Sequence, residues 1–192
     1  MRQRALNPWL LAVAAIGAVY PFLVYLSLAD SAASFLRPSW LVAVALILIG
    51  LRLLAMRDTV GRGWQIGSAA AALVLMVLLA LDPDLAAKAY PVMIGLAAAG
   101  IFGSSLLWPP TVIERIARLR EPDLSPQAVA YTRGVTRIWF WFLLINAIVA
   151  AALGLWGSLA QWTLWTGLIS YLLMGTLFLG ELGWRHYIRS RA

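Results

Sequence analysis

Six long apolar runs dominate the chain: 9–29, 39–56, 64–81, 86–108, 137–156 and 162–184. Apolar residues follow one another within each run, without the alternation of a barrel strand. About 20 apolar residues in a helix cross the roughly 30 Å hydrocarbon layer. Every run reaches or approaches that length, 39–56 and 64–81 being the shortest. The pattern predicts an all-α fold, a polytopic transmembrane bundle of six helices, with residues 1–192 as one integral membrane domain. Arg2 and Arg4 ahead of the first run resemble the start of a signal peptide. The run is longer than an ordinary signal core and is interrupted by Pro21, so it reads as an uncleaved first span.

The polar positions between the runs orient them. With the N-terminus inside, the inner side collects Arg2, Arg4, Arg52, Arg57, Arg62, Arg115, Arg118, Arg120, Arg133, Arg137, Arg185, Arg189 and Arg191. The outer side holds only Arg37 and Lys88. Basic residues in short loops stay in the cytoplasm, so both termini are expected there, in a bacterial inner (plasma) membrane. Trp9, Trp40, Trp64, Trp108, Trp139, Trp156, Trp162 and Trp184 lie at or near the run boundaries. That is where indole rings sit at the headgroup level.

Composition agrees. The chain is 62% hydrophobic and 12% charged, about half the roughly 25% charge of a soluble domain. Absence of cysteine excludes disulfides and thiolate chemistry, and a single histidine, His186, excludes a His-rich metal site. No cofactor or metal is expected. The net charge of +7 lies beside apolar spans, where orientation and anionic headgroups explain it better than nucleic acid does.

One connection is long, residues 109–136, on the inner side. Pro109 and Pro110 end the fourth run. Thr111 to Arg120 then places Val112, Ile113, Ile116 and Leu119 at helical spacing, with Glu114 and Arg118 paired four residues apart. Glu121-Pro122 ends this amphipathic helix, and Ser125-Pro126 caps a second that continues through Tyr131 and Arg133 into the fifth span. The expected product is a short cytoplasmic helical hairpin. Two readings stand for Arg115, Arg118, Arg120 and Arg133. They present guanidinium forks to phosphate, on a lipid headgroup, a lipid intermediate or a partner. Alternatively, they orient a connector resting in the headgroup zone.

Polar residues inside the spans are costly and so are candidates. Glu181 is either a local ion pair with Arg185 or a carboxylate facing a polar cleft that handles protons or cations. Asn146 either joins helices or meets substrate. Arg52 and Lys88 read as snorkelling. Gly63, Gly67 and Ala71, and separately Thr176 and Gly180, are small-residue stripes that permit close helix approach, within the chain or across a homo-oligomer. Tyr-Pro recurs in AVYPFLVYL and AYPVMIGL, which raises an inverted duplication. There is no Walker loop, GxSxG, HExxH or paired-aspartate motif.

The strings PPTVIERIARLREPDLSPQAVAYTRGVTRIWFWFLLINAIVAA and LWTGLISYLLMGTLFLGE resemble a family of small bacterial inner-membrane proteins. Its members are often encoded beside aryl-polyene or fatty-acid-like biosynthesis genes. The basic helical segment Ile113–Arg120, the Trp-rich span Trp139–Asn146 and the basic-ended span Gly167–Arg185 are more distantly similar to the intracellular septation protein A family. The resemblance implies a role in cell-envelope synthesis through other membrane proteins. The expectation is a non-enzymatic accessory or scaffold protein in envelope or polyene-lipid assembly, docking a partner or anionic lipid through the Arg hairpin. The alternatives are a small lipid or solute transporter or flippase, and a membrane-embedded acyl or lipid transferase.

Overall fold

A computed structural model describes residues 19–26, 40, 42–44, 46–47 and 62–189, with side chains from 72 to 185 in the last stretch. Arg2, Arg4, Arg37, Arg52, Arg57 and Arg191 lie outside the described residues, as do the surroundings of Gly63, Gly67 and Ala71 and the side chains of Arg62, His186 and Arg189. Every regular element among the described residues is helical. Helix α1 carries residues 19–26 and α2 the helical residues between 40 and 47. They are followed by α3 (Arg62–Leu81), α4 (Pro83–Leu107), α5 (Val112–Arg118) and α6 (Pro126–Trp156). Last come α7 (Leu159–Leu164), one wider π turn (Trp165–Ile169) and α8 (Ser170–Arg189).

Among the described residues three helices are long and apolar enough to cross a membrane: Pro83–Leu107, Pro126–Trp156 and Leu159–Arg185. Little of their apolar surface is covered by the fold. Ile138, Trp141, Ile145, Ile148 and Leu155 form one exposed stripe on α6, the inverse of a water-soluble helix and suited to lipid.

The helix ends are explicable locally. Asp82 caps α4, its carboxylate accepting from the N–H groups of Asp84 (3.0 Å) and Leu85 (3.1 Å), and Pro83 fills the first turn. Ser125 caps α6 by accepting from Ala128 N–H at 3.2 Å, again with Pro next. Ser158 and Gln161 close a reciprocal capping box on α7.

Helices α4 and α6 form the central pair. Gly95, Ala99 and Gly103 follow each other at intervals of four on α4. A Cβ on Gly95 would stand 3.0 Å from that of Ala147, and one on Gly103 would stand 2.8 Å from the Phe140 ring. Backbone approach of this closeness is how helices associate where burial from water supplies no drive.

At the far end from α5, Tyr20, Val24, Val42, Leu75, Ala86, Ala87, Tyr90 and Trp162 make one buried cluster joining α1, α2, α3, α4 and α7. The two Tyr-Pro pairs meet there, the rings of Tyr20 and Tyr90 having centroids 4.7 Å apart. Pro91 has no N–H, so the carbonyl of Ala87, four residues earlier, loses its helical partner. The Tyr20 hydroxyl donates to that carbonyl at 2.9 Å. Trp162 departs from its expected belt position. It is fully buried in this cluster, beside Gly154, where a Cβ would stand 3.5 Å from the indole.

Candidate functional site

The connector is built around a buried acid. Glu114, 5% exposed, accepts Arg118 Nε at 3.0 Å and Nη2 at 2.7 Å on Oε1, and Thr111 N–H at 3.4 Å on Oε2. Thr111 Oγ1 in turn accepts Glu114 N–H at 3.4 Å, completing a capping box on α5. Ser105, on the last turn of α4, accepts Val112 N–H at 3.2 Å and so ties α5 to it. The apolar residues Ile116 and Leu119 point away from this bonded side and are exposed, as on a helix whose apolar face lies in an interface.

Three of the four connector arginines take part in this framework. Arg115 Nε donates to the Pro110 carbonyl at 2.8 Å. Arg118 adds a bond from Nη1 to the Pro122 carbonyl at 2.8 Å. Arg133 Nη2 donates to the Leu106 carbonyl at 3.2 Å, neutralising the negative end of α4. Arg120 makes no such bond among the described residues and is exposed. The four do not form one cluster.

The structure joins Arg120 instead to a residue from the other end of the chain. A cavity of about 770 Å³ is lined by Ala117, Arg120 and Glu121 from the end of α5, by Ser125, Gln127, Ala128 and Tyr131 from the start of α6, and by Arg185 from α8. Two guanidinium groups and the positive end of a 31-residue helix therefore border one open space. Glu181 beside it is already engaged: Arg185 Nη2 lies 3.1 Å from its Oε1 and the Tyr131 hydroxyl donates to the same oxygen at 3.3 Å. The Arg185 guanidinium also stands 6.0 Å from the centre of the Tyr131 ring. Glu121 is engaged as well.

Tyr131 divides this arginine-bordered cavity from a second one. A slot of about 590 Å³ runs between α6 and α8, lined by Gly134, Val135, Ile138 and Trp139 on one wall and Thr176, Leu177, Gly180 and Trp184 on the other. Gly134 and Gly180 face open space. Thr176 Oγ1 is satisfied by donating to the Leu172 carbonyl at 2.8 Å, so the slot offers no unmet hydrogen bond there. Asn146 closes the deep end of the interhelical gap, its Oδ1 accepting the Ser170 hydroxyl at 2.7 Å.

Of the residues that the sequence singles out, Arg120 borders the open cavity. Arg115, Arg118 and Arg133 hold the connector, Glu181 forms a bridge between α6 and α8, and Asn146 forms another. The sequence reading missed Arg185, Tyr131 and Gln127 as lining residues, since their juxtaposition depends on how α8 rotates against α6. Among the described residues no group of acids, histidine or cysteine is placed to hold a metal ion. No protein-family model, curated protein or solved structure matches the chain.

Proposed function

We propose that this chain is an inner-membrane accessory protein that docks anionic lipid at its cytoplasmic end and performs no chemistry of its own. In this reading six helices cross the membrane, both termini are cytoplasmic, and α5 lies in the headgroup zone with Ile116 and Leu119 towards the acyl region. The observation that carries it is the convergence of Arg120, Arg185 and the first turn of α6 on one open cavity. A phosphate is the natural guest of guanidinium forks at a helix start. A place in envelope or polyene-lipid assembly rests on the resemblance of residues 109–151 and 164–181 to the aryl-polyene-associated family. Other envelope or biosynthetic membrane proteins are then the partners to be held near that lipid.

The test is lipid enrichment. The protein is reconstituted in nanodiscs of phosphatidylglycerol and phosphatidylcholine and extracted gently, and the headgroups that accompany it are counted. Wild type should enrich the anionic lipid, and the enrichment should fall as salt is raised. Arg120→Gln with Arg185→Gln should lose most of it, each arginine near an anionic surface contributing on the order of 1 kcal/mol. Enrichment unchanged by both substitutions contradicts the docking function. A lipid flippase is the second reading, because the slot between α6 and α8 is open rather than enclosed; it requires headgroup transfer between leaflets, which the docking reading does not.

A further inference from the structure

We propose that the slot between α6 and α8 holds one acyl chain of an anionic phospholipid whose phosphate lies at Arg120 and Arg185. This rests on the docking function above and adds the tail to it. The two cavities share Tyr131 as a common wall, so a single molecule spans both, polar end in one and hydrocarbon in the other.

The slot's dimensions select the occupant. On α8 the lining runs from Thr176 to Trp184, about 12 Å at the helical rise. Half of a roughly 30 Å hydrocarbon layer is about 15 Å. The slot therefore reaches across most of one leaflet. Apart from Tyr131 and Glu181 at its boundary with the first cavity, its walls are aliphatic side chains, two tryptophans, glycines and a satisfied threonine, which suit methylenes.

The gap is also bridged at both ends, by Ser170–Asn146 and by Tyr131–Glu181. The charges at the mouth complete the match: Glu181 is already matched by Arg185 and Tyr131, and Arg120 is left facing the cavity.

Native mass spectrometry of protein extracted from equal mixtures of phosphatidylglycerol and phosphatidylcholine nanodiscs tests the proposal. Wild type should retain one phosphatidylglycerol per chain. Gly180→Leu and Gly134→Leu fill the slot from positions with open space beside them. Two variants are used so that one misfolding does not end the test. Each should lower retention of either lipid severalfold, because the leucine takes up the space in which the chain packs. Gly100→Leu, equally open but on α4 away from the slot, should retain lipid as wild type does.

Arg120→Gln should lower the preference for phosphatidylglycerol over phosphatidylcholine by about fivefold while a lipid is still retained. Slot-filling variants that keep the lipid, alongside an Arg120→Gln variant that loses headgroup preference, overturn the tail proposal and leave the docking function standing. Loss of neither overturns both. Complete displacement of the lipid by soluble glycerol phosphate would also overturn the tail proposal, as would a lipid-free dimer with the slot closed by its second copy.

Discussion

At the residue scale, the Tyr20–Ala87 bond shows how a sequence repeat becomes a structural contact. Pro91 removes an N–H from the third turn of α4, and the carbonyl it orphans belongs to the fully buried Ala87 and has no water to turn to. Tyr20, itself followed by a proline, supplies the missing donor at 2.9 Å. Tyr20→Phe should therefore lower stability in detergent by about 1–3 kcal/mol, the cost of a buried unsatisfied carbonyl. Pro91→Ala returns an N–H to the helix, so the double variant Tyr20→Phe with Pro91→Ala should recover most of that loss in a thermal unfolding cycle. If the two losses simply add, the Tyr20 hydroxyl is not compensating for the proline. The recurrence of Tyr-Pro was legible in the sequence. The compensation was not, because the donor and acceptor lie 67 residues apart and their meeting depends on how α1 is placed against α4.

The same limit applies to the charged candidates. The Glu114–Arg118 pair could be read from spacing alone, since an (i, i+4) pair is local. It forms at 2.7 Å. That Glu114 would be buried, and that Arg115 and Arg133 would reach the carbonyls of Pro110 and Leu106, was not legible. Composition records a basic connector but not which guanidinium groups the chain's own carbonyls consume.

At the element scale, hydrophobic runs locate helices well where the helix is apolar to its ends. The run 86–108 corresponds to Pro83–Leu107. They understate a helix whose start is polar: the fifth run begins at 137, yet α6 begins at Pro126 and continues unbroken for 31 residues. The capping Ser125-Pro126 marked that start correctly, because cap chemistry is local where hydropathy is an average.

The faces of these helices follow from small residues. On α4 the stripe Gly95, Ala99, Gly103 faces Ala147 and Phe140 of α6. Gly95→Leu should therefore split the central pair and give aggregated or rapidly degraded protein. Gly175→Ala, where nothing stands within 4 Å, should be neutral or stabilise by up to about 1 kcal/mol through helix propensity. Unfolding temperatures and elution profiles in detergent distinguish the two. Equal behaviour of the pair would mean that α4 and α6 are not held by close backbone approach.

At the scale of the whole molecule, the chain places tight packing at one end and open space at the other. The buried cluster of Tyr20, Tyr90 and Trp162 draws five helices together. At the arginine-bearing end α8 stands apart from α6, touching it through the Glu181 and Asn146 bridges. This polarity parallels the charge asymmetry of the proposed six-span arrangement, which puts thirteen of the fifteen basic residues on one side. A closed end that sets geometry and an open, basic end that meets headgroups is the division of labour that the docking function requires.

Everything proposed for that open end depends on its facing the cytoplasm. The absence of cysteine makes labelling of single introduced cysteines a direct measurement. With a membrane-impermeant maleimide on intact spheroplasts, Asp84→Cys and Ser158→Cys should react at once, and Arg120→Cys only after the membrane is permeabilised. Reaction of Arg120→Cys in sealed cells, with Asp84→Cys and Ser158→Cys protected, would place the arginine cavity on the wrong side of the membrane and contradict the account.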